Sequence, residues 1–196
     1  MTTRHGVFAA ALILLLAYGV PATADEVTNQ INQALQSYGK HDLKAAASAL
    51  DAAATLIRQM QTQAWKRLLP KPAAGWSAEK AEGSALSPAV FGGALTVSRK
   101  YRKGNAVVTV SIVANSPMVQ AMAAFLTGSL GTMLGAGDLV IIGGRRVLHS
   151  KNDNSYQTLV AKTVLVKVEG NPSTKDADLR QYIGAIDFAA VKHLAS

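Results

Sequence analysis

GGALTVSRKYRKGNAVVTVSIVA, residues 92–114, holds two β-rich runs, 94–102 and 106–114, on either side of Lys103-Gly104-Asn105. A short glycine-containing connection between such runs is the signature of a β-hairpin. Leu95, Val97 and Tyr101 share one face of the first run, and Val108, Val110 and Ile112 share one face of the second. One side of the hairpin therefore packs on a core while Thr and Ser line the other. The pattern predicts a hairpin in the middle of an antiparallel sheet.

Moving outward toward the C-terminus, residues 139–142, 146–149, 156–161 and 163–169 read as further strands, separated by Gly143-Gly144, by residues 150–154 and by a tight step near Lys162. Gly170-Asn171-Pro172 ends the sheet, and Ser173 with Asp176 three residues on is placed to start a helix that runs to Ile183. A final short helix is expected over residues 187–194. Between the hairpin and these strands lies an uncharged stretch, residues 118–137. Its length would cross a bilayer, but strands on both sides must pair in one sheet, so residues 118–126 are expected to form a helix covering the sheet. Val119, Met122, Ala123 and Leu126 would be its buried side, and residues 127–137 a glycine-rich loop.

Toward the N-terminus, residues 26–38 and 43–68 carry apolar residues at helical spacing, with a break at Gly39-Lys40-His41-Asp42 and Asp42 placed as a cap. They read as a helical hairpin whose apolar stripe (Leu43, Leu50, Ile57, Met60 and the alanines between) packs on the rest of the chain or on a second copy. Homo-oligomerisation would run through it. Pro70 and Pro72 stop the helix, and Trp76 is expected to plug one end of the sheet. Residues 77–91 give mixed signals, a short helix and then a loop. The fold class is thus α+β, a helical hairpin over residues 25–69 followed by an antiparallel sheet of about six strands covered by helices over residues 70–196.

The first residues describe a secretory signal peptide: Arg4 and His5, an apolar run over residues 7–16, and Ala22-Thr23-Ala24 before Asp25. Cleavage after Ala24 and a periplasmic location follow as expectations, with an uncleaved anchor as the alternative. The chain has no cysteine, which excludes thiol catalysis, Cys-ligated zinc, iron–sulfur clusters, disulfides and a lipoprotein anchor. A formal charge of +8, of which the signal peptide carries a single Arg, favours anionic partners: a protein or an anionic membrane surface. Nucleic acid is not indicated, because no basic helix or aromatic-studded basic strand of a nucleic-acid module is present.

Leu-Pro-x-Pro-x-x-Gly-Trp at residues 69–76, the Ser98-Arg99-Lys100-Tyr101-Arg102-Lys103-Gly104 hairpin, Asn115-Ser116-Pro117-Met118 and Ile142-Gly143-Gly144 together resemble a family of exported proteobacterial α+β proteins. The layout is also similar to the fold of photosystem-associated PsbP proteins. The resemblance runs from residue 43 to the C-terminus and implies export and one α+β domain. It implies no catalytic residue and no cofactor.

Candidate chemistry is sparse. His41, His149 and His193 stand on separate elements without metal-ligand spacing, and Ser129 lacks the first glycine of a nucleophile elbow. Glu79 and Glu82 read as one face of a short helix. The concentrated feature is positive: Arg99, Lys100, Arg102 and Lys103 at the hairpin, with Arg145, Arg146 and Lys151 at turns expected to lie near it. Phe125, Leu130, Met133 and Leu134 would form an apolar loop surface. These residues are the candidate partner-binding set of a non-catalytic envelope binding or assembly module; the alternative is a peripheral lipid-binding protein that uses residues 118–137. An enzyme reading would gain ground only if the fold set His149 beside a carboxylate in a pocket.

Overall fold

A computed structural model describes residues 22–85, 94–117, 119, 123 and 137–196. Two helices come first, α1 (Ala22–Gly39) and α2 (Leu43–Lys66). Between them His41 adopts a left-handed φ of 60°, and the Asp42 carboxylate accepts the Ala45 N–H at 3.0 Å, the cap that the break in periodicity predicts. The compact units of the chain are Met1–Ala53 and Ala54–Ser196, so the division falls inside α2.

The predicted apolar stripe of α2 divides along its length. Ala46, Ala49 and Ala53 are buried, but Leu43, Leu50, Ile57 and Met60 stay exposed. In the unit from Ala54 onward α2 buries a different face, carrying Thr62 and Trp65. Thr62 is tolerated there because its hydroxyl donates back to the Arg58 carbonyl at 2.8 Å.

The strands are β1 (Ser77–Ala78), β2 (Glu82–Ala85), β3 (Leu95–Lys103), β4 (Ala106–Ala114), β5 (Asp138–Ile142), β6 (Arg145–Ser150), β7 (Ser155–Val160) and β8 (Val164–Gly170), followed by helices α3 (Asp176–Gly184) and α4 (Phe188–Leu194). Among the described residues they form one eight-stranded sheet in the order β1-β3-β4-β8-β7-β6-β5, with β2 beside β1 on the same edge of β3. Every pairing is antiparallel. The α+β class is as expected, and the strand count exceeds the expectation because residues 77–85 are extended rather than helical. Pairing to β3 overrides the helical propensity of Ala, Glu and Lys in this stretch.

In the hairpin, Lys103 pairs with Ala106 and Gly104-Asn105 is a two-residue turn with Gly104 at φ 57°. Leu95, Val97 and Tyr101 of β3 and Val108, Val110 and Ile112 of β4 are all buried on one face. They join Trp65, Leu69, Trp76 and, from the terminal helices, Leu179, Tyr182, Ile183 and Val191 in the core. Each such side chain contributes about 1.5–3 kcal/mol on burial. The second tight hairpin, β5–β6, turns through Gly143 and Gly144, both at positive φ.

α3 starts later than the sequence suggests. Ser173 is not its cap: the flanking residue is Lys175, with no side-chain cap. Thr174 donates its hydroxyl to the Val107 carbonyl at 2.8 Å and Asn171 accepts the Val107 N–H at 3.1 Å, so the segment is tied to β4 before it can coil. Asp187 does cap α4, accepting the Ala190 N–H at 2.9 Å. Of the expected covering helix after β4, Pro117, Val119 and Ala123 are described and helical, and Val119 is buried. The expected signal-peptide core and loop 127–136 lie outside the described residues.

The edge of β3 is where α2 meets the sheet. β1 pairs Ala78 with Tyr101, and β2 pairs Glu82 with Ser98. Glu79, Lys80 and Ala81 therefore face only Arg99 and Lys100, a bulge of one extra residue. Beyond it Gly83 lies under α2: a Cβ there would stand 2.8 Å from Lys66 Cε and from Val97 Cγ1, and 2.9 Å from Thr62 Cγ2. Gly83→Ala is expected to destabilise the protein by about 1–3 kcal/mol through overpacking. Urea unfolding should show a lower midpoint at an unchanged slope, and an unshifted midpoint would mean that α2 is not closely seated on β2.

Candidate functional site

The site begins with the chain crossing from α2 to β1. Pro70 and Pro72 cannot continue the helix, and the crossing is pinned from the sheet side. The Tyr101 hydroxyl donates to the Pro70 carbonyl at 2.6 Å, and the Ala73 N–H donates to the Tyr182 hydroxyl at 3.3 Å. Tyr182 stacks obliquely on Tyr101 at 4.4 Å and meets Trp76 edge-on at 5.3 Å. Trp76 is buried, as expected for a plug at the end of the sheet.

This clamp places Arg99. In β3 it alternates with Val97 and Tyr101 and pairs with Val110, so its side chain leaves the sheet on the core face. Its Nη1 reaches the Pro70 carbonyl at 3.4 Å, while its Nε is buried with no hydrogen-bond partner among the described residues. A half-buried guanidinium on an apolar face loses hydration unless something negative approaches. Around it the end of α2 and the bulge form a cleft of about 290 Å3 lined by Gln63, Lys66, Arg67, Lys80, Ala81 and Arg99. Gln63 and Lys66 also line a neighbouring depression of about 310 Å3 that runs back along α2 past Arg58 to β2. Cations and amides line both depressions, and among the described residues no carboxylate does. Such a surface attracts and hydrogen-bonds anions.

The predicted basic set does not gather into one patch. Arg99 enters the cleft, whereas Lys100 is exposed and Arg102 is paired with Glu79 at 2.5 Å. Glu79 is thus an ion-pair partner at the bulge, not half of a helical acid pair with Glu82. Lys103 lies over the Trp76 ring at 5.9 Å. Arg145 lies over Phe188 at 4.4 Å, and Arg146 is exposed in register with Ile141. β4, β8 and β7 separate β3 from β6, which puts Arg145 and Arg146 about 19 Å from the hairpin strand at ordinary strand spacing. Phe125, Leu130, Met133 and Leu134 lie outside the described residues. Lys66, Arg67 and Lys80 were not in the predicted set. The Trp65-Lys66-Arg67 run was their one sequence signal, and it reads equally well as a complement to the helix dipole.

A second cluster sits at the far end of the sheet. His149 stacks on Tyr156 at 4.3 Å, and its Nε2 stands 3.5 Å from Asp176 Oδ1. The Tyr156 hydroxyl donates to the same oxygen at 2.5 Å, and Arg180 Nε donates to Oδ2 at 2.7 Å. Burial works to raise the Asp176 carboxyl, but Tyr156, Arg180 and His149 outweigh it and hold the group below its ordinary value. The surrounding cavity of about 520 Å3 is also lined by Asp138, Val140, Lys151 and Asn154. Asp138 and Lys151 pair at 3.1 Å. Among the described residues no group of three His, Asp or Glu side chains is placed to hold a metal ion.

No protein-family model, curated protein or solved structure matches the chain.

The tyrosines that anchor both clusters carry a pH signature. Burial pushes the Tyr101 phenol up to about 12, with Arg99 pulling against it, and burial aided by Asp176 does the same for Tyr156. Folded values above the ordinary 10.0 mean that the protonated phenols stabilise the fold fully below pH 10, and that this contribution is lost as pH rises through about 12. Denaturant midpoints should therefore fall across that window, and the Tyr101→Phe/Tyr156→Phe variant should show a flatter profile. Equal profiles for variant and parent would mean that these hydroxyls are not the groups titrating.

Proposed function

We propose that this chain is a non-catalytic binding module of the cell envelope, exported to the periplasm, which holds an anionic partner in the cleft beside Arg99. The observation that carries the reading is the convergence of Lys66, Arg67, Lys80 and Arg99 on one concave surface that, among the described residues, no carboxylate lines. Gathering four cations costs self-repulsion, which a bound anion relieves. A concave site suits a chain or a single charged group better than the flat face of a membrane. The envelope location rests on the N-terminal sequence, and the exposed Leu43, Leu50, Ile57 and Met60 of α2 support self-association through the helical pair. Lipid binding through residues 118–137 is the alternative. Among the described residues no helix is long and apolar enough to cross a membrane.

The test is titration of the protein with tripolyphosphate and, separately, with phosphatidylglycerol vesicles at low and moderate salt. Lys66→Gln/Lys80→Gln is expected to weaken tripolyphosphate binding at least tenfold, about 1.4 kcal/mol. Lys100→Gln/Arg146→Gln removes the same charge outside the cleft and should change binding little beyond general screening. Equal losses in the two variants would leave only net charge and sink the cleft; binding to vesicles alone would favour the lipid alternative.

A second reading has one observation behind it: His149 does stand beside a carboxylate in a cavity. Asp176 is already bonded through both oxygens, which suits a fastening of α3 to β6 and β7 as well as it suits acid–base chemistry. Thermal-shift screening of small polar compounds against the protein and its His149→Gln variant separates the two, since a stabilising compound lost with the imidazole would favour chemistry there.

A further inference from the structure

Resting on the binding reading above, we infer that the occupant is an extended acidic peptide that lies in the groove between α2 and β2 and adds a strand to the outer edge of β2. Three observations meet here. First, the Arg99 cleft and the depression toward Arg58 share Gln63 and Lys66, so they form one continuous trough. Arg58 and Lys66 are eight residues apart on α2, about 12 Å of helix, the span of roughly four residues of extended chain. A single phosphate or carboxylate fills one end only.

Second, β2 is an edge strand. Its described pairing is to β3 alone, through Glu82–Ser98, Gly83–Val97, Ser84–Thr96 and Ala85–Leu95, and Gly83, Ser84 and Ala85 line the trough. Among the described residues nothing else pairs with that edge, and unpaired edge N–H and C=O groups are the template for strand addition. The bulge at Glu79, Lys80 and Ala81 interrupts the edge and sets Lys80 beside Arg99 at the far end of the trough.

Third, the lining is mixed in a way that suits a peptide. Gln59 and Gln63 supply amide groups between the cations, matching backbone amides and carboxylates alike. A polyphosphate would use the cations and leave the strand edge and the amides without a role. Glu82 does not oppose an acidic chain in the trough, because it alternates with Gly83 and its side chain leaves β2 on the face away from α2.

The experiment uses the full protein and fluorescein-labelled oligoglutamates of four and eight residues, read by anisotropy at fixed salt, with tripolyphosphate as competitor. The eight-residue probe should bind at least tenfold more tightly than the four-residue probe. Arg58→Gln should remove most of that gain and cost the eight-residue probe more affinity than it costs tripolyphosphate, and its urea midpoint should match the parent. An eight-residue probe with alternate N-methylated residues keeps every carboxylate but cannot pair as a strand, and its affinity should fall at least tenfold. Overturning results are distinct. Short probes that bind with no gain from length, or N-methylated probes that bind as well as the parent peptide, defeat the strand-addition inference and leave anion binding intact. Failure of all anionic probes defeats the binding reading with it.

Discussion

The buried hydrogen bond from the Tyr101 hydroxyl to the Pro70 carbonyl, 2.6 Å long, is the constraint on which the rest of the second unit depends. Pro70 follows the end of a helix and precedes a second proline, so its carbonyl has no helical or ladder partner to return to. Leaving such a carbonyl buried and unpaired would cost about 1–3 kcal/mol. Tyr101 satisfies it from the centre of β3, and Tyr182 holds the next turn of the crossing through Ala73 and Trp76. With the crossing held, the end of α2 is delivered to the edge of the sheet, where Thr62 and Lys66 come to lie over Gly83.

That delivery explains the electrostatics. Arg102 and Lys103 leave the hairpin toward partners already present, Glu79 and the Trp76 ring, and such exposed contacts contribute little. Arg99 leaves β3 on the core face, opposite to Arg102, where its neighbours are valines, a tyrosine and other cations. The fold thus gathers like charges on one concave surface. At the other end of the sheet the arrangement is different: Asp176 collects Tyr156, Arg180 and His149 around one carboxylate, and each charge there has a counterpart. Among the described residues the first cluster holds no carboxylate and the second does.

Local chemistry made much of the fold legible in the sequence. The alternation in β3 and β4, the Gly104-Asn105 turn, the Asp42 cap and the burial of Trp76 all follow from residue types within a few positions of one another. The misreadings came where distant pairing competed with propensity. Residues 77–85 carry helix-forming Ala, Glu and Lys but are extended because β3 offers them a ladder, and Ser173 fails as a cap because Thr174 and Asn171 are bound to Val107. The α2 stripe was visible as a period, but a period does not say which face meets the sheet; Thr62 and Trp65 do, and Ile57 and Met60 do not.

The sequence by itself determined an α+β chain with a helical pair, a β-hairpin joined to further strands and a surplus of positive charge, because periodicity, turn residues and composition are properties of near neighbours. Which of those charges stand together was decided by tertiary structure alone. Lys66, Lys80 and Arg99 come from a helix end, a bulge and a strand interior, and they meet only because a one-residue bulge and a proline-stopped helix are closed around the same tyrosine. Arg145 and Arg146 looked like their companions in the chain but are held apart by three intervening strands, since strand order is set by long-range pairing that no local pattern encodes.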